Sequence, residues 1–303
     1  MPASTKYLRP EVLARLRGLD LRARSVVAGF ISGMHRSAYH GYSVEFAEHR
    51  QYVAGDDIRH IDWRLFGRAD RFYIKQYEEE TNLRCNILVD VSRSMDYGEG
   101  DQNKFEYACS IAATLAYLLV RQRDAVGLVT FDHKIRDRLP SATGQVQLSN
   151  FISILEASRP DEITDVKVLF HRLAEELRRR SMVVLISDLL TDIDDVILGI
   201  EHIGLARHEL IVMHLLHDDE WNFPFVENVF FEGLEESAEL LTDPQTLRES
   251  YLEAVKRFSE RVKSACLDHG VDYIAINTSD PLEVVLSRYL SSRSTRAVRG
   301  TRR

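Results

Sequence analysis

Cysteine is scarce: Cys85, Cys109 and Cys266 are the three in 303 residues, far apart and each inside an apolar pattern. No CxxC pair or zinc-type spacing links them, which excludes a disulfide framework and a thiolate metal site and leaves buried, reduced thiols. Long apolar runs are missing too. The longest candidate, Ile111 to Val120, is about half of what a membrane helix needs and has charged flanks. The early basic residues Lys6, Arg9, Arg15 and Arg17 are not followed by the apolar core of a signal peptide. A cytoplasmic protein with no membrane span is the expectation. Familiar enzyme signatures are also lacking: there is no GxxxxGK[ST] loop, GxSxG elbow, HExxH helix or GxGxxG turn.

Positive charge is in short supply over most of the chain. The net charge of −8 divides into +3 for residues 1–84, −16 for 85–290 and +5 for 291–303. An acidic body argues against a general nucleic-acid binder, because counterion release needs clustered lysine and arginine. The basic end, with Arg293, Arg296, Arg299, Arg302 and Arg303, reads as a solvated, disordered tail over 291–303. What is plentiful is ordinary globular material, 45% hydrophobic and 28% charged.

Periodicity divides the rest. Arg9 to Ile31 reads as a helix, with Pro10 suited to its first turn. His35 to Tyr77 changes to short alternating pieces with turn residues, including Phe66-Gly67-Arg68, so residues 1–80 are expected to form a helix plus a small β-rich unit. His35, His40, His49 and His60 in that unit match no metal-ligand spacing.

From residue 81 to 290, strands and helices alternate. Cys85–Asp90, Ala125–Phe131, Lys134–Leu139, Met182–Ser187, Glu209–Leu216 and Asp272–Ile276 read as six strands. Helices are expected over Asn103–Arg123, Val146–Ala157, Asp165–Arg180, Asp194–Ala206 and Pro244–His269, the first capped by Asn103 with Glu106 three residues on. Residues 217–242, with Trp221 to Phe225, read as a loop or small hairpin. The implied fold is α/β, a doubly wound, mostly parallel six-stranded sheet.

In a sheet ordered 3-2-1-4-5-6, the first and fourth strands flank the switch point where ligands bind. Those strands end at Asp90 and Asp188. Asp90, Ser92 and Ser94 alternate, so an extended segment puts three hard oxygens on one side. Hard oxygens suit magnesium or a similar divalent cation, although aspartate and serine also favour plain strand-end turns. Thr164 is a candidate fifth oxygen, and threonine just before a helix is also a standard N-cap.

These residues carry a resemblance. Asp90-x-Ser92-x-Ser94, Thr164 and Asp188 resemble the metal-ion-dependent adhesion site of von Willebrand factor A domains. Gly55 to Trp63, the run Lys75-Gln76-Tyr77-Glu78 and the ending Ser187-Asp188-Leu189 resemble the bacterial family called domain of unknown function fifty-eight. The resemblance implies a von Willebrand factor A-like, Rossmann-like fold binding Mg2+, Mn2+ or Ca2+. It implies a non-catalytic adaptor for a MoxR-type AAA+ ATPase that assists assembly or maturation of other proteins. Serines and threonine would hold the cation directly or through water, and a partner's carboxylate would complete it. The alternative is a metal-dependent phosphoester hydrolase, for which no nucleophile with a positioned base stands out.

Overall fold

Short apolar runs bounded by polar turns become the strands of one central sheet, and longer runs with helical spacing cover it. The computed structural model describes residues 7–8, 44–51, 63–69, 71–79, 83–161, 181–205, 208–226, 229–232, 239–242 and 244–289. The helices expected over Arg9–Ile31 and Asp165–Arg180, the tail, and Thr164 lie outside the described residues. The chain divides into two compact units, Ala28–Asn82, and Met1–Val27 together with Leu83–Arg303.

In the smaller unit, strand β1 (Val44–Gln51) pairs antiparallel with β2 (Tyr73–Glu79), and the register shifts between Phe46 and Glu48. Between them lies helix α1 (Trp63–Ala69). The sequence suggested only strands and turns here. Phe66 stacks on Phe72 at 4.4 Å between ring centroids, and Trp63 meets both rings edge-on at 6.2 and 6.3 Å. Trp63 and Phe66 are three apart, so a helical turn brings both rings to the same side. That local gain outweighs the turn preference of Gly67.

The larger unit contains β3 (Arg84–Asp90), α2 (Lys104–Arg121), β4 (Ala125–Phe131), β5 (Ile135–Ala142), α3 (Gln145–Ala157) and β6 (Met182–Ser187). There follow α4 (Ile193–Leu205), β7 (Glu209–Leu216), α5 (Asp218–Asn222), β8 (Val229–Glu232), β9 (Glu239–Thr242), α6 (Pro244–Asp268), β10 (Asp272–Asn277) and α7 over 282–289. The sheet order β10-β7-β6-β3-β4-β5 is the doubly wound order expected from the sequence. All neighbours pair parallel except β5, which runs antiparallel to β4 at the edge. The reason is length. A parallel neighbour needs a crossover of a dozen or more residues, whereas only a turn separates these two strands. Lys134 N–H donates to Asp132 Oδ1 (3.0 Å) to close that turn. β5 also runs past the expected Leu139, and its Pro140 is tolerated because an edge strand has an unpaired side.

Strands β4, β6 and β7 are buried almost throughout, as both covered faces of a parallel sheet require. On one face Leu88, Val129, Val183, Leu185 and Val212 pack with Val196, Ile200 and Ile203 of α4 and Val262 and Cys266 of α6. α2 packs on β3 and β4 and against α3. It starts where Asn103 Oδ1 accepts from Glu106 N–H (3.1 Å), the expected N-cap. All three cysteines are buried, and none forms a disulfide. Tyr7, within the stretch the sequence assigned to the N-terminal unit, is buried in the larger unit beside Cys109. Among the described residues no helix is long and apolar enough to cross a membrane. Residues 217–242, expected as a loop or hairpin, contain both α5 and the β8–β9 hairpin.

Candidate metal centre

Adjacent strands β3 and β6 connect in opposite directions, β3 towards β4 and β5, β6 towards β7 and β10. Their carboxyl ends therefore bound a crevice with no crossover above it. Asp90 is the last residue of β3 and Asp188 follows the last residue of β6. After Asp90 the chain stays on the sheet for one residue, Val91 N–H donating to Phe131 O (2.8 Å). It then enters a single 3-10 turn, Arg93–Met95, anchored by buried Met95.

Four of the five expected site residues lie in the described part, and all four are buried: Asp90, Ser92, Ser94 and Asp188. The Ser92 and Ser94 hydroxyl oxygens are 3.1 Å apart. Asp90 is held at both oxygens, Oδ1 accepting from Ser92 N–H (2.9 Å) and Oδ2 from the Ser187 hydroxyl (2.5 Å). Ser187 Oγ in turn accepts from Leu189 N–H (2.9 Å). Leu189 has a φ of 55°, a left-handed conformation that costs a branched residue energy. Asp188 Oδ1 bridges that kink by accepting from Leu190 N–H (3.2 Å).

Three residues that the sequence did not single out complete the surroundings. Lys104, fully buried, donates from Nζ to Asp188 Oδ2 (2.7 Å) and to Glu220 Oε1 (3.0 Å). His214 on β7 contacts the Asp188 carbonyl through Nε2 (3.0 Å) and the Tyr273 hydroxyl through Nδ1 (2.8 Å). A carbonyl can only accept, so Nε2 carries the proton and Nδ1 accepts from tyrosine. A signal existed for Lys104: it stands one and two turns before Ala108 and Ile111 on a buried helix face, where a lysine needs a partner. Glu220 and His214 gave none, because their partners lie far away in sequence.

Burial first, and then the neighbouring Asp188 carboxylate, push the Asp90 carboxyl up to about 7 against the opposing hydrogen bonds from Ser187 and Ser92. Burial would lower Lys104, but Asp188 and Glu220 outweigh it and hold the ammonium above its ordinary value. Burial drives His214 down to about 4 despite the Asp188 charge, consistent with a neutral ring.

A hard cation fits this donor set. Lys104 is shared between Asp188 and Glu220, so an ionised Asp90 beside them still calls for a positive counter-charge, and a hydroxyl keeps a lone pair after one hydrogen bond. Because protein donors already engage Asp90 and Asp188, the Ser92 and Ser94 hydroxyls are the oxygens most open to direct coordination. Among the described residues no three His, Cys, Asp or Glu side chains gather to hold a metal. Two hydroxyls and two carboxylates are hard oxygen donors, suited to magnesium-like ions and unlike the thiolate and imidazole donors of zinc sites.

Over residues 48–261 the sequence matches the family described as protein of unknown function DUF58. The chain belongs to the DUF58 family. The matched span includes every site residue named above from Asp90 to Glu220. This DUF58 chain is similar to the uncharacterized proteins Rv1480 of Mycobacterium tuberculosis H37Rv and Mb1516 of Mycobacterium bovis. Each is 26% identical over 296 residues, covering 96% of this chain and 92% of the relative.

Among solved structures it is similar to an aerotolerance-related membrane protein from Bacteroides fragilis, with 15% identity, a TM-score of 0.48, and coverage of 71% of this chain and 99% of that one. It is also similar to the conserved hypothetical protein BatB from Bacteroides thetaiotaomicron, at 15% identity and TM-score 0.45 over 70% of this chain and 99% of that one. The VWA domain of SpRpn10 matches at 13% identity and TM-score 0.42, over 69% of this chain and 95% of that one.

Proposed function

We propose that this DUF58 protein is a non-catalytic, metal-dependent protein-binding adaptor, partnering a MoxR-type AAA+ ATPase in the assembly or maturation of other proteins. The observation that carries the reading is the buried pair of serine hydroxyls, 3.1 Å apart, beside two carboxylates at the switch point of the sheet. A divalent cation, when bound, supplies a positive centre with a coordination position that a partner's carboxylate can take. Ser92 and Ser94 would hold it, joined by Thr164, while Asp90 and Asp188 supply the compensating charge. Ser187 and Lys104 fix the two carboxylates in place.

The non-catalytic reading is supported by the engagement of the nearby groups. His214 spends both ring nitrogens on Tyr273 and the Asp188 carbonyl, so it is not placed as a general base for a serine. The ATPase partner rests on the family resemblance set out above.

Affinity capture from the source cells' lysate tests the reading, with wild type and Asp90→Ala each in magnesium and in chelator. A MoxR-type ATPase or an acidic client recovered only by wild type in magnesium is the expected result. Recovery of the same proteins under all four conditions would contradict metal-gated binding.

A further inference from the structure

Lys104 is the first residue of α2 and is wholly buried, and in the reading above it serves only to fix Asp188 in place. A desolvated ammonium is costly unless it is well paired, so its position demands compensation. Its partners are Asp188 Oδ2 at 2.7 Å and Glu220 Oε1 at 3.0 Å, with the Tyr97 ring 5.8 Å away. Glu220 is itself anchored, Oε2 accepting from His217 N–H (2.6 Å) in a capping box at the start of α5. The ammonium is therefore clamped from two elements and cannot swing away without breaking both contacts.

That clamp has an electrostatic consequence. With Asp90 ionised, Asp90, Asp188 and Glu220 bring three negative charges against one positive charge, leaving an excess of two that a divalent ion would neutralise. The ammonium shares the Asp188 carboxylate with any ion held beside it, and two cations on one carboxylate repel each other strongly in a dry site. Without an ion, the same ammonium keeps Asp188 satisfied.

We infer that Lys104 is the affinity-setting residue of this centre: a tethered cation that satisfies Asp188 in the empty site and weakens divalent binding. The additional negative charge of a partner's carboxylate then tightens loading. The inference rests on the metal reading above and adds to it which side chain sets how tightly the ion is held.

Calorimetric titration of the full chain with MnCl2 at fixed pH and ionic strength tests it, on wild type, Lys104→Met and Glu220→Gln, each checked for folding by circular dichroism. Removing the ammonium is expected to tighten Mn2+ binding by about tenfold or more, and removing the Glu220 charge to weaken it several-fold, as charges a few ångströms from the ion require. A purely structural lysine would give equal affinities in the folded variants, which would overturn the inference alone. Weaker binding by folded Lys104→Met would do the same. If Lys104→Met does not fold, Glu220→Gln decides: weaker binding supports the inference, and equal or tighter binding overturns it. No Mn2+ binding by wild type or either variant would overturn the inference together with the metal reading beneath it.

Discussion

At Ser92 and Ser94 a single oxygen separates the proposed site from an ordinary buried turn. Serine to alanine at either position removes that oxygen and leaves the backbone contacts of the turn intact. Melting in chelator should change by under about 1 kcal/mol, the net worth of one hydrogen bond. The magnesium-dependent rise should be lost, although a ligand at a hundred times its Kd would stabilise wild type by about 2.7 kcal/mol. Differential scanning calorimetry with and without magnesium distinguishes the two effects.

Asp124 gives an independent, pH-dependent check on the packing around β3. Its Oδ1 accepts from Leu83 N–H (3.1 Å), and burial pushes its carboxyl up to about 6. A raised folded pKa means that the folded state holds the proton more tightly. Its stabilising contribution is therefore full below the ordinary value near 3.8 and is lost as pH rises through about 6. Relative to wild type, Asp124→Asn should gain stability on the order of 2 kcal/mol between pH 4 and pH 8, read from denaturant midpoints at both pH values.

Asp90 and Ser92 were legible because alternation along a strand fixes which side chains share a side. Ser94 stands in the 3-10 turn that follows, so its hydroxyl reaches Ser92 through that turn and not by extended alternation, and Asp188 follows the neighbouring strand. Lys104 was not recognised, because a lysine in a first helical turn is ordinarily solvated. Only the apolar residues on the same face argue otherwise. Ser187 was legible as the strand's last residue, but its hydrogen bond to Asp90 depends on how β3 and β6 lie side by side.

Among the elements, the loop from Met95 to Asn103 connects the serine turn to α2 and packs on His217. Gly98 adopts a φ of 93°, and a Cβ there would meet the His217 ring at 2.8 Å. Gly98→Ala is expected to destabilise the protein by roughly 1–3 kcal/mol, from left-handed strain plus displacement of the ring. A smaller loss in urea unfolding would show that the loop yields freely. Most strand limits followed from the sequence to within a residue, since both faces of the inner strands are covered and their apolar runs are continuous. β5 ran longer than expected because an edge strand tolerates polar residues and Pro140, which hide its end. α1 was missed because its three-ring cluster, not its propensity, sets the local structure.

On the scale of the whole molecule, the winding order of the sheet is what turns separate sequence signals into one site. Asp90 and Asp188 are 98 positions apart in the chain, yet the doubly wound order makes their strands neighbours. This order is one that the doubly wound class takes, and that class was legible from the alternation of strands and helices. The α5 segment was not, because it interrupts the alternation, and it carries Glu220 to Lys104. The −16 charge of residues 85–290 fits a body that attracts cations to this crevice. A partner's carboxylate would then approach favourably only where a bound ion reverses the local sign.

Whether the crevice takes a divalent cation is read most directly by electron paramagnetic resonance of Mn2+ added to wild type and to Asp90→Ala. Wild type is expected to remove the free-ion signal up to one ion per chain and to release it when excess magnesium is added, while folded Asp90→Ala leaves the signal unchanged. An undiminished free-ion signal with wild type, or equal uptake by both proteins, would contradict a cation centre built on Asp90, Ser92, Ser94 and Asp188.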